Sequence, residues 1–253
     1  MTARPYVLRE TSWHTIQNVR YEVAILPWGA TEAHNYHLPY GTDTYEAESI
    51  AIQAAAIAWE QGARVTVLPA LPFGVNTGQL DIPLTINLNP STQLLVLRDI
   101  VAALKGQGIE KLVIVNGHGG NDFKGLIREL QGSTDVLIVA VNWWQIEDGK
   151  THFSQPGDHA GALETSVMLQ IQPDLVRLDA AGPGASRPFR ITGLREGWAW
   201  TPRQWTKATT DTGVGDPQGS TAEAGRRYLD VITEKLAGLF HELASCPRDA
   251  LYG

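Results

Sequence analysis

Four short apolar runs, separated by stretches of helical spacing, constrain this chain more than any other feature. They cover residues 21–27, 64–69, 111–115 and 136–141. Lys111-Leu-Val-Ile-Val115 is apolar throughout after its lysine, the pattern of a central strand covered on both faces. Ile50, Ala54, Ile57 and Ala58 mark a helix from Thr44 to Gly62, and Leu94, Leu97, Val101 and Leu104 one from about Asn89 to Gly108. Leu126, Ile127 and Leu130, then Leu163, Val167 and Ile171, repeat the same one-face spacing. Residues 82–88 read as a further extended piece. Ser220 or Thr221 caps a last amphipathic helix carrying Tyr228, Ile232, Leu236, Leu239 and Leu243 on one face. This alternation predicts an α/β fold with a mostly parallel sheet and helices on both faces. No repeat or composition break divides it, so residues 1–253 are expected to form a single domain.

In such folds ligands bind where loops leave the carboxyl ends of strands, and two of those loops are rich in metal-binding side chains. The first, Gly29 to Asp43, holds Glu32, His34, His37 and Asp43. Glu32 and His34 are two apart and leave one face of an extended backbone. The only cysteine is Cys246, so a metal must be held by histidine and carboxylate. The second loop, Asn116-Gly-His118-Gly-Gly-Asn121, follows the central strand. A phosphate cradle is its rival reading, but neither nucleotide-loop glycine spacing is met and no lysine follows. A third group, Asp158-His159-Ala-Gly-Ala-Leu-Glu164, opens a helix. Glu164 enters an otherwise apolar segment, where it either complements the helix dipole or meets a metal. His159 stands at the entrance as a cap neighbour or proton-transfer group. His37 reads as structural, and His14, His152 and His241 as ordinary surface or loop histidines.

Charge narrows the partners. A net charge of -7 with no Lys/Arg-rich block argues against nucleic acid and acidic membranes. No stretch reaches the ~18 apolar residues of a membrane span, and the first six residues lack a signal-peptide run. A cytoplasmic protein is expected. Residues 182–221 are rich in Gly, Pro, Thr and Arg, include Trp198, Trp200 and Trp205, and show no periodicity. A loop this long is usually functional or an interface.

Taken in order, Glu32-x-His34, Leu-Pro-x-Gly-Thr-Asp43, Asn-Gly-His118-Gly-Gly-Asn, His159-Ala-Gly-x-x-Glu164 and Thr212-Gly-Val-Gly-Asp-Pro217 resemble the creatininase (creatinine amidohydrolase) family. The resemblance implies a three-layer αβα sandwich with two divalent ions, zinc first and manganese or iron as alternatives. Asp43 would bridge the ions, Glu32 and His118 would complete one site, and His34 and Glu164 the other. His159 and Glu164 become the catalytic candidates, with His159 as proton shuttle. The implied reaction is attack by a bridging water on a small polar cyclic amide-type substrate, in a homo-oligomer, most often a hexamer. The tryptophan-rich loop could form a lid or a subunit contact, and on that ground the contact is the first expectation.

The sequence also departs from creatininase itself. Asn35-Tyr36 follows His34 where many members have His-Gly. Gly119-Gly120 replaces a Tyr-Glu pair whose glutamate is a ligand there. Phe153-Ser-Gln-Pro-Gly157 replaces a flap tryptophan. These changes are expected on the substrate side, with Tyr36, Gly119, Trp143 and Trp144 at the pocket. Hydrolysis of a ring C–C bond in a keto-inositol is the alternative chemistry. A non-catalytic metal-containing binding module and a phosphate-binding nucleotide enzyme are the alternatives of other classes.

Overall fold

The computed structural model describes residues 4–253. The first three residues of the stretch read for a signal peptide lie outside that range. Strands β1 (Val23–Trp28), β2 (Val65–Val67), β3 (Lys111–Asn116) and β4 (Leu137–Asn142) form one sheet in the order β2-β1-β3-β4. Every pairing is parallel, with Ile25 opposite Val113 and Ile114 opposite Ala140. The longer helices are α1 (Thr42–Glu60), α2 (Pro90–Gly106), α3 (Phe123–Gln131), α4 (Ala162–Ile171) and α5 (Ala222–Ser245).

The two-residue period of a strand sends alternate side chains to opposite faces, and here both faces are covered. Val23, Ile25, Val65, Val67, Val113 and Val115 pack with Ile50 and Ala54 of α1, Val167 of α4 and Ile232 of α5. Ala24, Leu26, Trp28, Leu112 and Ile114 pack with Leu97 and Val101 of α2 and Phe123 and Leu130 of α3. The result is a three-layer αβα sandwich.

Three local expectations change. The fourth apolar run is not buried throughout: Ala140 is exposed and Val139 and Val141 are half-buried, because β4 is an edge strand paired only to β3. Residues 82–88 form no strand and touch neighbours through single bridges at Ile86 and Asn87. Helix α1 begins at Thr42 rather than Thr44, which places Asp43 in its first turn. At α5, Thr221 is the cap: its hydroxyl accepts from the Ala224 N–H at 3.1 Å, while the Ser220 hydroxyl donates to the Pro217 carbonyl at 2.6 Å. Among the described residues, no helix is long and apolar enough to cross a membrane.

This layering predicts a contrast in stability. Ile114 is fully buried at the centre of the sheet, so Ile114→Ala should lower unfolding free energy by about 2–5 kcal/mol. Ala140→Ser on the exposed edge should change it by no more than about 0.5 kcal/mol. Urea denaturation of the two variants measures the difference, and equal losses would contradict the assignment of layers.

Candidate metal centre

The loops after β1 and β3 meet at the N-terminus of α1. Gly117 permits the approach, since a Cβ there would lie 2.2 Å from the Asp43 carbonyl oxygen. The next residue, His118, is thereby set beside Asp43. Its loop is held by Asn116, whose side-chain oxygen accepts from the His118 N–H at 3.1 Å. His118 Nδ1 lies 2.9 Å from Glu32 Oε1 and 3.0 Å from Asp43 Oδ2. His34 Nε2 lies 2.8 Å from Asp43 Oδ1. Potential ligand atoms of Glu32, Asp43 and His118 fall within 4.8 Å of one another, as do those of His34, Asp43 and Glu164, and of Glu32, His34 and His159.

The outer ring nitrogens fix the chemistry of the inner ones. His118 Nε2 is 3.0 Å from the Val75 carbonyl, His34 Nδ1 is 3.2 Å from the Glu32 carbonyl, and His159 Nε2 is 2.9 Å from the Ala33 carbonyl. A carbonyl only accepts, so each outer nitrogen carries the hydrogen. In a neutral ring the inner nitrogen is then a bare lone pair. For His118 and His34 that lone pair faces carboxylate oxygens at hydrogen-bond distance, which only a proton or a cation between them can relieve. Outer nitrogens tied to carbonyls are the usual support of metal-bound imidazoles. The nitrogen and oxygen donor set, without sulfur, suits zinc, manganese or iron. The residues therefore fit divalent ions.

Without ions the cluster binds protons instead. Burial lowers the pKa of His34, but Asp43, Glu32 and Glu164 outweigh it and raise it to about 9. His118 is raised well above its ordinary value, against burial, by Glu32 and Asp43. Burial disfavours the ionised form of Asp43, yet His34 and His118 hold its pKa well below the usual carboxylate range. Glu164 is pushed up to about 7 by burial, against the pull of His34 and with the repulsion of Asp43. One of its oxygens accepts from the Ala160 N–H. Burial and neighbouring His34 lower His159 to about 4, leaving it neutral.

A cavity of about 490 Å³ opens over this floor, with Glu32, Asp43, His118, His159 and Glu164 on its lining and Gly119, Trp143 and Trp144 on its wall. His34 is completely buried beside His159, their rings 4.2 Å apart. Trp143 and Trp144 occupy a tight turn after β4 and meet edge to face, so both reach one cavity instead of opposite faces of a strand. Tyr36 is a correction: the residue is 64% exposed, its hydroxyl donates to the Thr210 carbonyl, and it is not part of this cavity. The cause is Asn35, which takes a left-handed φ of 53°. Its side chain donates to the Gly182 carbonyl at 3.1 Å and accepts from the Gly182 N–H at 2.8 Å. That departure from the family pattern clamps the 182–212 segment and does not face the pocket. His37 is buried against the Thr165 hydroxyl of α4 at 2.8 Å.

Position 120 has no room for a side chain: a Cβ there would meet the Val75 carbonyl at 2.2 Å and His118 Nε2 at 2.4 Å. Several contributors carry no motif. Gln79 donates to Glu32 Oε2 at 2.5 Å. Glu46 is completely buried one turn after Asp43 with neither oxygen bonded. Trp200, Arg203 and Trp205 line the cavity, which places part of the tryptophan-rich loop at the site. Helical spacing from Asp43 could have marked Glu46; nothing local marks Gln79 or Arg203.

A family model described as creatinine amidohydrolase matches residues 9–240. The chain is 32% identical over 225 residues to the mycofactocin precursor peptide peptidase of Mycobacterium tuberculosis, covering 83% of this chain and 81% of that protein. It is 26% identical to the creatinine amidohydrolase of Pseudomonas putida, covering 87% and 89%. A Bacteroides fragilis crystal structure, assigned as a creatinine amidohydrolase, is 47% identical with a TM-score of 0.93, covering 98% of this chain and 99% of that one. Solved creatininase structures in a manganese form and, for a variant, a zinc–zinc form share the fold with TM-scores of 0.75 at 23% identity, covering 95% or more of each chain.

Because His34 holds its proton up to about pH 9 in the ion-free chain, an entering ion must displace that proton. Zinc uptake by chelator-treated protein at pH 7.5 should release at least about one proton per chain. Apparent affinity should rise from about pH 7 to about pH 9 and fall on acidification. Calorimetry in buffers of different ionisation enthalpy measures the release. Zinc binding with no proton release would contradict a proton held between His34 and Asp43 in the ion-free chain.

Proposed function

This chain belongs to the creatininase family, and we propose that it is a two-metal hydrolase that opens or cleaves an amide-type C–N bond in a small polar cyclic substrate. The observation that carries this reading is the set of inner imidazole nitrogens facing carboxylates at the floor of an open cavity. Glu32, His118 and Asp43 would hold one ion, and His34, Asp43 and Glu164 the other. When bound, such ions polarise a carbonyl and acidify a water; zinc is the first candidate, with manganese or iron as alternatives.

The chain's own residues provide the rest. His159 is neutral, its Nε2 is occupied by the Ala33 carbonyl, and its Nδ1 faces the Glu32 side of the floor at 3.9 Å from Oε1. It can take a proton only at Nδ1 and deliver it to the leaving nitrogen from there. The turn that carries it is pinned by exchange with Val214: the His159 N–H donates to the Val214 carbonyl at 3.1 Å and its carbonyl accepts back at 2.8 Å. Trp205 lies 4.6 Å from the imidazole centroid and shields it from water. Gln79 fixes Glu32 in orientation.

The cavity falls within the roughly 300–1,000 Å³ of small-molecule sites. A structural metal site is closed on all sides, so an opening of this size over the ligand set favours catalysis over a binding module. Homo-oligomerisation, as a hexamer, remains part of the proposal. It is supported by exposed Leu80, Leu84 and Ile86 on one surface segment, 62%, 83% and 42% accessible.

Two substitutions separate the roles. Asp43→Ala should lose both ions by elemental analysis, whereas His159→Ala should retain them and lose turnover by about 100-fold or more. Turnover is read in a screen of metal-loaded protein against creatinine, formamides, hydantoins and keto-inositols. Undiminished turnover in His159→Ala counts against the shuttle. A native protein that takes up no zinc, manganese or iron sinks the hydrolase.

A further inference from the structure

We propose that Arg203 receives an anionic group of the substrate, so that the ring cleaved over the carboxylate–histidine floor carries a carboxylate or a phosphate. The inference deepens the hydrolase reading and rests on it for the chemistry at the floor. Among the residues lining the cavity, Arg203 is the sole lysine or arginine. Its guanidinium lies 4.7 Å over the Trp205 ring, and Trp205 in turn lies 4.6 Å from the His159 ring. Two contacts, through the Trp205 ring, therefore separate the cation from the proton-transferring imidazole, a span that a compact ring with one short acidic arm can bridge.

The position of that cation is built. A Cβ at Gly78 would lie 1.9 Å from the Arg203 carbonyl oxygen and 3.2 Å from the Trp205 ring, so the glycine lets residues 203–205 close onto the Thr77–Gln79 turn. Gln79 of that turn holds Glu32. The Thr206 hydroxyl bonds Asp81 just beyond it. The guanidinium is thus referenced to a floor carboxylate through one short turn and to His159 through one ring.

Its charge is also available. Asp158 accepts from one Arg203 Nη2 at 2.8 Å, and the two side chains are 62% and 33% accessible. An ion pair this exposed is weak, and a guanidinium keeps five donors in a planar fork. A stacked, pre-oriented fork suits a carboxylate or phosphate, which it can take by two parallel bonds. Trp144 and Trp200, also on the cavity lining, offer faces for the ring.

Probes with a non-hydrolysable ring test this. Metal-loaded protein at pH 8 is titrated calorimetrically with imidazole-4-acetate, imidazol-4-ylmethylphosphonate and the neutral 2-(imidazol-4-yl)ethanol. One or both anions should bind about tenfold tighter than the alcohol, and the better one tells carboxylate from phosphate. In Arg203→Met the preference should fall to within about twofold while affinity for the alcohol holds. In Asp158→Asn, which frees the fork, the preference should persist or grow. Equal binding of anions and alcohol, an undiminished preference in Arg203→Met, equal loss in both variants, or no binding of any probe would each overturn the proposal. Metal content of the same samples reports separately on the hydrolase. Full loading without Arg203-dependent selectivity refutes the anion receptor alone, and absence of metal uptake refutes the hydrolase reading.

Discussion

A lone pair directed at a carboxylate is repulsive, and this fold buries that contact more than once. His34 Nε2 and His118 Nδ1 both face carboxylate oxygens within 3.0 Å while their outer nitrogens are committed to main-chain carbonyls. The arrangement is tolerable only with positive charge between the groups. Much of the surrounding architecture serves to hold it. Parallel strands β1 and β3 deliver both loops to the same edge, Gly117 removes the side chain that would keep them from α1, and Asp43 stands in the first turn of α1, where the helix dipole favours an anion. Asn116 and Gln79, neither a ligand, fix the loop and the Glu32 carboxylate.

The same stretch that carries Glu32, His34 and Asp43 also anchors the cavity wall. Asn35, next to His34, bonds both backbone groups of Gly182, and its own N–H donates to the Thr212 hydroxyl at 2.9 Å. Val214 exchanges hydrogen bonds with His159. The ends of the 182–221 segment are therefore tied to the stretches that carry His34 and His159. Its middle, from Arg203 to Thr206, rests on the Thr77–Asp81 region. A segment whose only regular structure is two single-turn helices, Thr192–Arg195 and Trp205–Ala208, becomes a fixed wall by being fastened at several separate places.

This division explains what was legible in the sequence. The strands were readable because their apolar runs are continuous and β-branched, and the layers because alternate residues meet helices with one apolar face. The exposed outer flank of β4 was not, since Val139, Ala140 and Val141 are as apolar as a buried strand would be; only the number of pairing partners differs. Glu32, His34, Asp43 and His118 stood out as residue types in glycine-bounded stretches after strands, and Glu164 as a carboxylate opening an apolar helix. Their convergence depends on sheet order, which no local pattern encodes. Arg203 and Trp205 depend on contact with a glycine well over a hundred residues earlier. Tyr36 was misplaced because the left-handed backbone at Asn35 turns it away, and an asparagine in a loop does not announce that conformation.

The acidic cluster meets its own repulsion by spreading proton affinities. Asp43, bonded between two imidazoles, stays ionised far into acid. Glu164, at the mouth of α4, is balanced near pH 7 by burial and Asp43 on one side and His34 on the other. Glu46, one turn along α1 from Asp43, is completely buried, finds no hydrogen-bond partner, and is held well above its ordinary value by burial, Glu164 and Asp43. Carboxyls whose surroundings separate their affinities in this way take different roles. Asp43 is suited to permanent ligation and Glu164 to a ligation that competes with protons near neutrality. Burial, Glu164 and Asp43 push Glu46 toward its neutral form, which lessens the negative charge buried beside Asp43 in the first turns of α1.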